Sequence, residues 1–204
     1  MIDPGLKSRV VLVTGANHGI GAATARAFAA QGAMVFITYL RLPMDGITTE
    51  AVEANTPGKA FYRAQQARSA DEVVRAIRER GGQVEAWEAD LADPATIPQL
   101  FDRVEGAFGP VDVLVNNAAH CEYPETIFTT SVGSIDRHFA VNTRAVVLMI
   151  AEFVRRYQER GGTWGRIVNL STDAAQRFAG SISYGASKAA TEAFTRSIAI
   201  EVGP

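Results

Sequence analysis

The 204-residue chain has a single cysteine, Cys121. No internal disulfide can form within it, and a reducing, cytoplasmic setting is the expectation. Net charge is scarce as well: 20 Lys and Arg against 22 Asp and Glu leave a formal −2. That balance gives no electrostatic reason to expect nucleic acid or an acidic membrane surface as a partner. Long apolar runs are missing. The run at residues 145–150 is far too short to span a bilayer. The N-terminal segment carries Asp3, Lys7 and Arg9 around a short apolar run and reads neither as a signal peptide nor as an anchor. With one cysteine and scattered His18, His120 and His138, no metal site is expected.

What is present is an ordinary globular composition, 47% apolar and 21% charged, long enough for one α/β domain over residues 1–204 with a full core. Val-rich runs at residues 9–13, 34–38, 84–89, 111–115 and 166–170 read as buried strands. Between them, residues 19–31, 70–80, 94–106, 134–159 and 183–202 read as helices, most of them closed by glycine. Strands alternating with helices imply right-handed crossovers. The expected fold is α/β, a doubly wound parallel sheet of the Rossmann type in three layers, α/β/α. Residues 40–69 break the rhythm and read as an insertion, with a helical turn around residues 49–55.

The first strand runs into Thr14-Gly15-Ala16-Asn17-His18-Gly19-Ile20-Gly21, and a helix follows. Glycines let the backbone turn sharply and approach a ligand closely. A helix start then points free N–H groups and a positive dipole end at a phosphate. This is the logic of a dinucleotide-binding loop, with a spacing unlike Gly-x-Gly-x-x-Gly. The bland alternative is a glycine-rich turn with no ligand.

Tyr184-Gly185-Ala186-Ser187-Lys188 opens the last helix. A spacing of four puts Tyr184 and Lys188 on one face, one turn apart. A free phenol has a pKa of about 10. A nearby ammonium favours the phenolate. The pair is a plausible general acid for carbonyl reduction and a general base in reverse. Taken alone, the spacing equally fits a surface tyrosine and a solvated lysine.

Several residues then agree with one pattern. Thr14-Gly15-x-x-x-Gly19-x-Gly21, Asp90-Leu91, Asn116-Asn117-Ala118, Asn142, Ser171 and Tyr184-x-x-x-Lys188 stand in the order and separations of the short-chain dehydrogenase/reductase family. The chain resembles that family, in its smaller single-domain branch, over essentially its whole length. The resemblance implies a nicotinamide-dependent oxidoreductase acting on CH–OH groups. Tyr184 would donate or accept the proton. Lys188 would hold the nicotinamide ribose and favour the phenolate. Ser171 would hydrogen-bond the substrate oxygen, and Asn142 would hold a water in a proton relay. Gly15, Asn17, His18, Gly19, Ile20 and Gly21 would carry the pyrophosphate. Asp90 and Leu91 would lie at the adenine, and Asn116, Asn117 and Ala118 would line the cofactor. Asp90 reads equally well as a helix cap and Asn116–Asn117 as a turn pair.

The chain departs from the family at three places. Ala119 stands where the family usually has glycine. Counting back thirteen residues from Tyr184 selects Ser171, whereas counting forward from the fifth strand selects Thr172; either hydroxyl could donate the bond. The family also continues beyond Pro204 with two more strands and a substrate lid, so a longer native protein is expected. Cofactor choice reads from the end of the second strand. Thr38-Tyr39-Leu40-Arg41 has no acid for the adenosine ribose, and Arg41 has the geometry to grip a 2′-phosphate. NADP is favoured over NAD, with His18 assisting if protonated; the alternative for Arg41 is a solvated loop cation. Cys121 reads as inert, His120 as a pocket residue and His138 as outward-facing. A small-molecule carbonyl or alcohol substrate (3-oxoacyl, sugar or polyol, or ketone) and a homodimer or homotetramer are expected. A cofactor-binding sensor or scaffold without turnover is the alternative.

Overall fold

The computed structural model describes residues 3–43 and 58–203. The chain divides into two compact units, Met1–Ala89 and Asp90–Pro204. The first holds β1 (Val10–Thr14), α1 (Gly19–Ala30), β2 (Met34–Tyr39), α2 (Lys59–Gln66), α3 (Asp71–Arg78) and β3 (Gln83–Glu88). Its strands lie in the order β3-β2-β1. All their pairings are parallel, with Val10 opposite Met34 and Tyr39 opposite Glu88.

β1 is buried throughout, the pattern of a strand covered on both faces. α1 places Ala22, Ala25 and Ala29 on its buried side. Side chains this small let its axis come close to β1 and β2, where it packs. β3 is different: Gln83, Glu85 and Ala86 are exposed, and Glu85 pairs with Arg78 at 2.9 Å. Charge on an outer strand discourages further strand pairing.

The second unit holds α4 (Thr96–Phe108), β4 (Val113–Asn116), α5 (Val132–Phe139), a π-helical stretch (Ala140–Ala145), α6 (Val146–Glu159), β5 (Arg166–Asn169), a 3₁₀ turn (Asp173–Ala175) and α7 (Ile182–Val202). β4 and β5 pair in parallel, Val113 with Arg166. α4 buries Ile97, Leu100, Phe101 and Val104, and α6 buries Val146, Met149, Ile150 and Phe153. Both stripes follow the i, i+3, i+4, i+7 rule of a helix with one apolar face. Arg156 ties the two helices together, bonding Asp102, Glu105 and Glu152 at 2.7–2.8 Å.

Three sequence expectations change. The helix expected over residues 134–159 starts at Val132, where the Ser131 hydroxyl accepts a bond from the Ser134 N–H, and it is interrupted by the π-helical stretch. Part of the segment read as an insertion is helical, Lys59–Gln66; the turn expected at residues 49–55 lies outside the described residues. His138 does not face outward. It is fully buried.

Candidate active site

In the first unit the loop after β1 turns on two glycines in the left-handed region, Gly15 at φ 64° and Gly19 at φ 56°. Only glycine adopts that conformation without strain. The Ala16 N–H donates to the Thr38 carbonyl at 3.1 Å, which fixes the loop to the end of β2. Asn17 Nδ2 donates to the Arg68 carbonyl at 2.9 Å, and the His18 ring meets Tyr62 edge-on at 5.7 Å. The first turn of α1 has no acidic residue, and its N-cap His18 makes no side-chain capping bond. Its N–H groups therefore suit an anion. Burial pushes the His18 pKa down, so near neutral pH the ring adds no positive charge there. Ile20 projects from this turn, two-thirds exposed, and Gly21 is buried.

Arg41 does not stand free at the end of β2. Its Nε and Nη2 both meet Glu88 Oε2, at 2.8 and 2.7 Å, and its backbone N–H donates to Oε1 at 3.1 Å. The pair's hydrogen bond and charge raise the Arg41 pKa and lower that of Glu88. Glu88 ends β3 and is 47 residues away in sequence.

In the second unit Tyr184 and Lys188 lie one turn apart on α7. Lys188 is 3% exposed. Its Nζ donates to the Leu170 carbonyl at 2.8 Å, and burial lowers its pKa. Tyr184 is half-buried, and its ring packs edge-on to His138 at 6.3 Å. Gly185 follows because a Cβ there would stand 2.5 Å from the Ala174 carbonyl oxygen.

Asn142 is wholly buried in the π-helical stretch. Its Oδ1 accepts from the His120 N–H at 2.7 Å, and its Nδ2 donates to the His120 carbonyl and the Ser187 hydroxyl, both at 2.9 Å. Both amide protons are thereby used, clamping the chain after β4 to α7. Its carbonyl accepts from the Thr191 hydroxyl at 2.6 Å. The Ser171 hydroxyl donates to Glu192 at 2.5 Å. Glu192 is two turns beyond Tyr184, about 12 Å along the helix. Thr172 instead caps the 3₁₀ turn, accepting from the Ala174 N–H and donating to Asp173. Asp90 accepts from the Ala92 N–H at 2.8 Å in a turn, and Leu91 is buried. Asn116 donates to the Asn169 side-chain oxygen at 2.9 Å, and Asn117 and Ala118 are half-buried. Among the described residues the only non-glycine with positive φ is Ser8. Ala119 in place of the family's glycine therefore carries no strain.

Glu125 carries no local signal in the sequence. It is 4% exposed and accepts from the hydroxyls of Thr130, Ser134 and Ser183 and from the Ser183 N–H, at 2.6–2.9 Å. Burial alone would raise its pKa. The bonds from Ser134, Ser183 and Thr130 outweigh burial and bring it down to about 2. Glu125 thus pins the loop after β4 to the start of α7, next to Tyr184. His138 completes this core: Nδ1 lies 2.8 Å from the Ser134 carbonyl, and Nε2 accepts from the Glu122 N–H at 3.1 Å. The exposed Cys121 thiol is pushed up in pKa, mostly by desolvation, as suits an unreactive cysteine.

A family model described as short chain dehydrogenase matches residues 9–62 and 44–204. The chain belongs to the short-chain dehydrogenase family. Among its relatives in that family, it is 37% identical over 200 residues to a short-chain type dehydrogenase/reductase of Picea abies, covering 97% of this chain and 66% of that protein. It is 36% identical to an NADPH-dependent aldehyde reductase 2, chloroplastic, of Arabidopsis thaliana, covering 97% and 68%. A short chain dehydrogenase from Burkholderia cenocepacia J2315, solved in complex with NADP, superposes at a TM-score of 0.76 with 34% identity, covering 98% of this chain and 70% of that one. One from Mycobacterium avium superposes at 0.80 with 32% identity, covering 97% and 64%. The short-chain dehydrogenase fold, parallel strands flanked by helices in the Rossmann manner, is the α/β class expected from the sequence. The chain spans 62–70% of the length of the curated relatives it matches.

Proposed function

We propose that the protein is an NADP(H)-dependent oxidoreductase interconverting a carbonyl and a secondary alcohol, with Tyr184 as general acid and base. The observation that carries this reading is the buried Lys188 one turn from Tyr184, held by the Leu170 carbonyl. An ammonium so placed favours the phenolate when Tyr184 gives up its proton. The glycine loop fits a dinucleotide. Gly15 and Gly19 have the left-handed conformation such a turn needs, and the α1 start is free of acid. NADP-bound and NADPH-dependent relatives support the cofactor choice.

When bound, the nicotinamide supplies or takes up the hydride. In carbonyl reduction the phenol of Tyr184 gives its proton to the substrate oxygen, and in oxidation it takes that proton back. A hydroxyl from Ser171 or Thr172 positions the same oxygen. Ser171 must first leave Glu192 to do so. Asn142 serves as the clamp on α7, and on the family pattern it also holds the relay water. Asp90, Leu91, Asn117 and Ala118 complete the cofactor contacts on the family pattern, within a single nicotinamide-binding domain over residues 1–204. Among the described residues no helix is long and apolar enough to cross a membrane; a cytoplasmic homodimer or homotetramer acting on a small molecule is the reading.

The test is NADPH oxidation by the full-length protein against a panel of aldehydes and ketones. Tyr184→Phe is expected to lower kcat by about 100-fold or more while leaving the NADPH dissociation constant nearly unchanged. Tight NADPH binding with no turnover on any substrate would favour the sensor reading instead.

A further inference from the structure

β2 and β3 end together, with Tyr39 opposite Glu88. In open parallel sheets ligands bind beyond the carboxyl ends of the strands, and an acid after the second strand marks a ribose with free hydroxyls. This chain has no such acid on β2, yet the fold brings one there from β3. Glu88 holds the Nε–Nη2 edge of Arg41. The Nη1 side of the guanidinium has no partner among the described residues, and the Arg41 side chain is 55% exposed. A guanidinium has donors on two edges, so Arg41 can meet a 2′-phosphate with Glu88 still attached. The carboxylate has the opposite preference, since it accepts from ribose hydroxyls and repels a phosphate dianion.

We propose that Glu88 is the specificity-determining partner of Arg41: it orients the guanidinium, restrains its affinity for a 2′-phosphate, and lets the site take a cofactor with a free 2′-hydroxyl as well. The inference rests on the dinucleotide reading above and on Arg41 as the phosphate-binding residue. It makes cofactor choice the outcome of two opposed charges contributed by different strands.

The experiment measures dissociation constants of NADPH and NADH for the full-length protein, by nicotinamide fluorescence, in the wild type, Glu88→Gln and Arg41→Ala. Glutamine keeps an acceptor for Arg41 and removes the charge. In Glu88→Gln the NADPH-over-NADH preference is expected to rise by about threefold or more, through tighter NADPH and weaker NADH. A smaller rise, no change, or a fall overturns the proposal. Arg41→Ala separates the two levels. A loss of NADPH affinity of about tenfold with NADH little changed upholds the cofactor reading whatever Glu88→Gln does. Equal losses for both cofactors in Arg41→Ala refute that reading, and the role of Glu88 falls with it. Because Arg41 is mostly exposed and Glu88 only half-buried, both variants are expected to fold, which unchanged urea midpoints would verify.

Discussion

Glu125 is a buried carboxylate satisfied by neutral donors alone, three hydroxyls and one backbone N–H. Truncating it would leave those donors unpaired in the interior. Glu125→Ala is therefore expected to cost on the order of 3 kcal/mol at pH 7, read from urea unfolding. The pH dependence has a definite sign. The folded pKa, about 2, lies below the ordinary 4.5, so the charged group stabilises the fold above pH 4.5 and that stability drains away as pH falls toward 2. The gap between wild type and variant should shrink when unfolding is repeated at pH 3; an unchanged gap would show that the charge contributes nothing. Tyr184, Lys188 and the glycine loop were legible in the sequence because each is a local spacing. Glu125 was not, because its partners come from residues 130, 134 and 183. The Arg41–Glu88 pair was hidden for the same reason. His138 was misread because helical periodicity gives a face and not what covers it.

At the scale of elements, the strands fell within two residues of expectation, since buried Val-rich runs have few alternatives. The π-helical stretch had no signal in Ala-Val-Asn-Thr-Arg-Ala. Two of its residues bond α7 across the chain, Thr143 to the Ser187 carbonyl and the Asn142 carbonyl to Thr191, and long-range contacts of that kind are invisible to periodicity. α2 was missed because glycine and proline before it read as loop. The approach of the 3₁₀ turn to α7 is set by Gly185. Gly185→Ala would put a methyl 2.5 Å from the Ala174 backbone oxygen, and the backbone must shift. A loss of about 1–3 kcal/mol in unfolding stability is expected, with a lower kcat because Tyr184 is the adjacent residue. A stable, fully active variant would show that this contact yields at no cost.

At the scale of the molecule, α5, α6, the π-helical stretch and α7 present an open groove lined by Phe139, Ala140, Val147, Leu148 and Phe194, with Phe194 45% exposed. On the family reading a second copy covers it. Phe194→Asp is expected to lower the mass seen by light scattering from that of a dimer or tetramer, and an unaltered mass would exclude this face as the contact. The substrate was not legible, because no motif in the chain names one. α7 carries a further consequence. On the helix that carries Tyr184, Ser187 and Thr191 are tied to Asn142, Lys188 to Leu170, Glu192 to Ser171 and Thr195 to Asn169. The spacing of the two backbone positions that bear the phenol and the ammonium, four residues apart, is a property of the helix itself. On the proposed function, the side chains that tie this rod to its neighbours are therefore the ones through which sequence drift would retune the reaction without touching the tyrosine or the lysine.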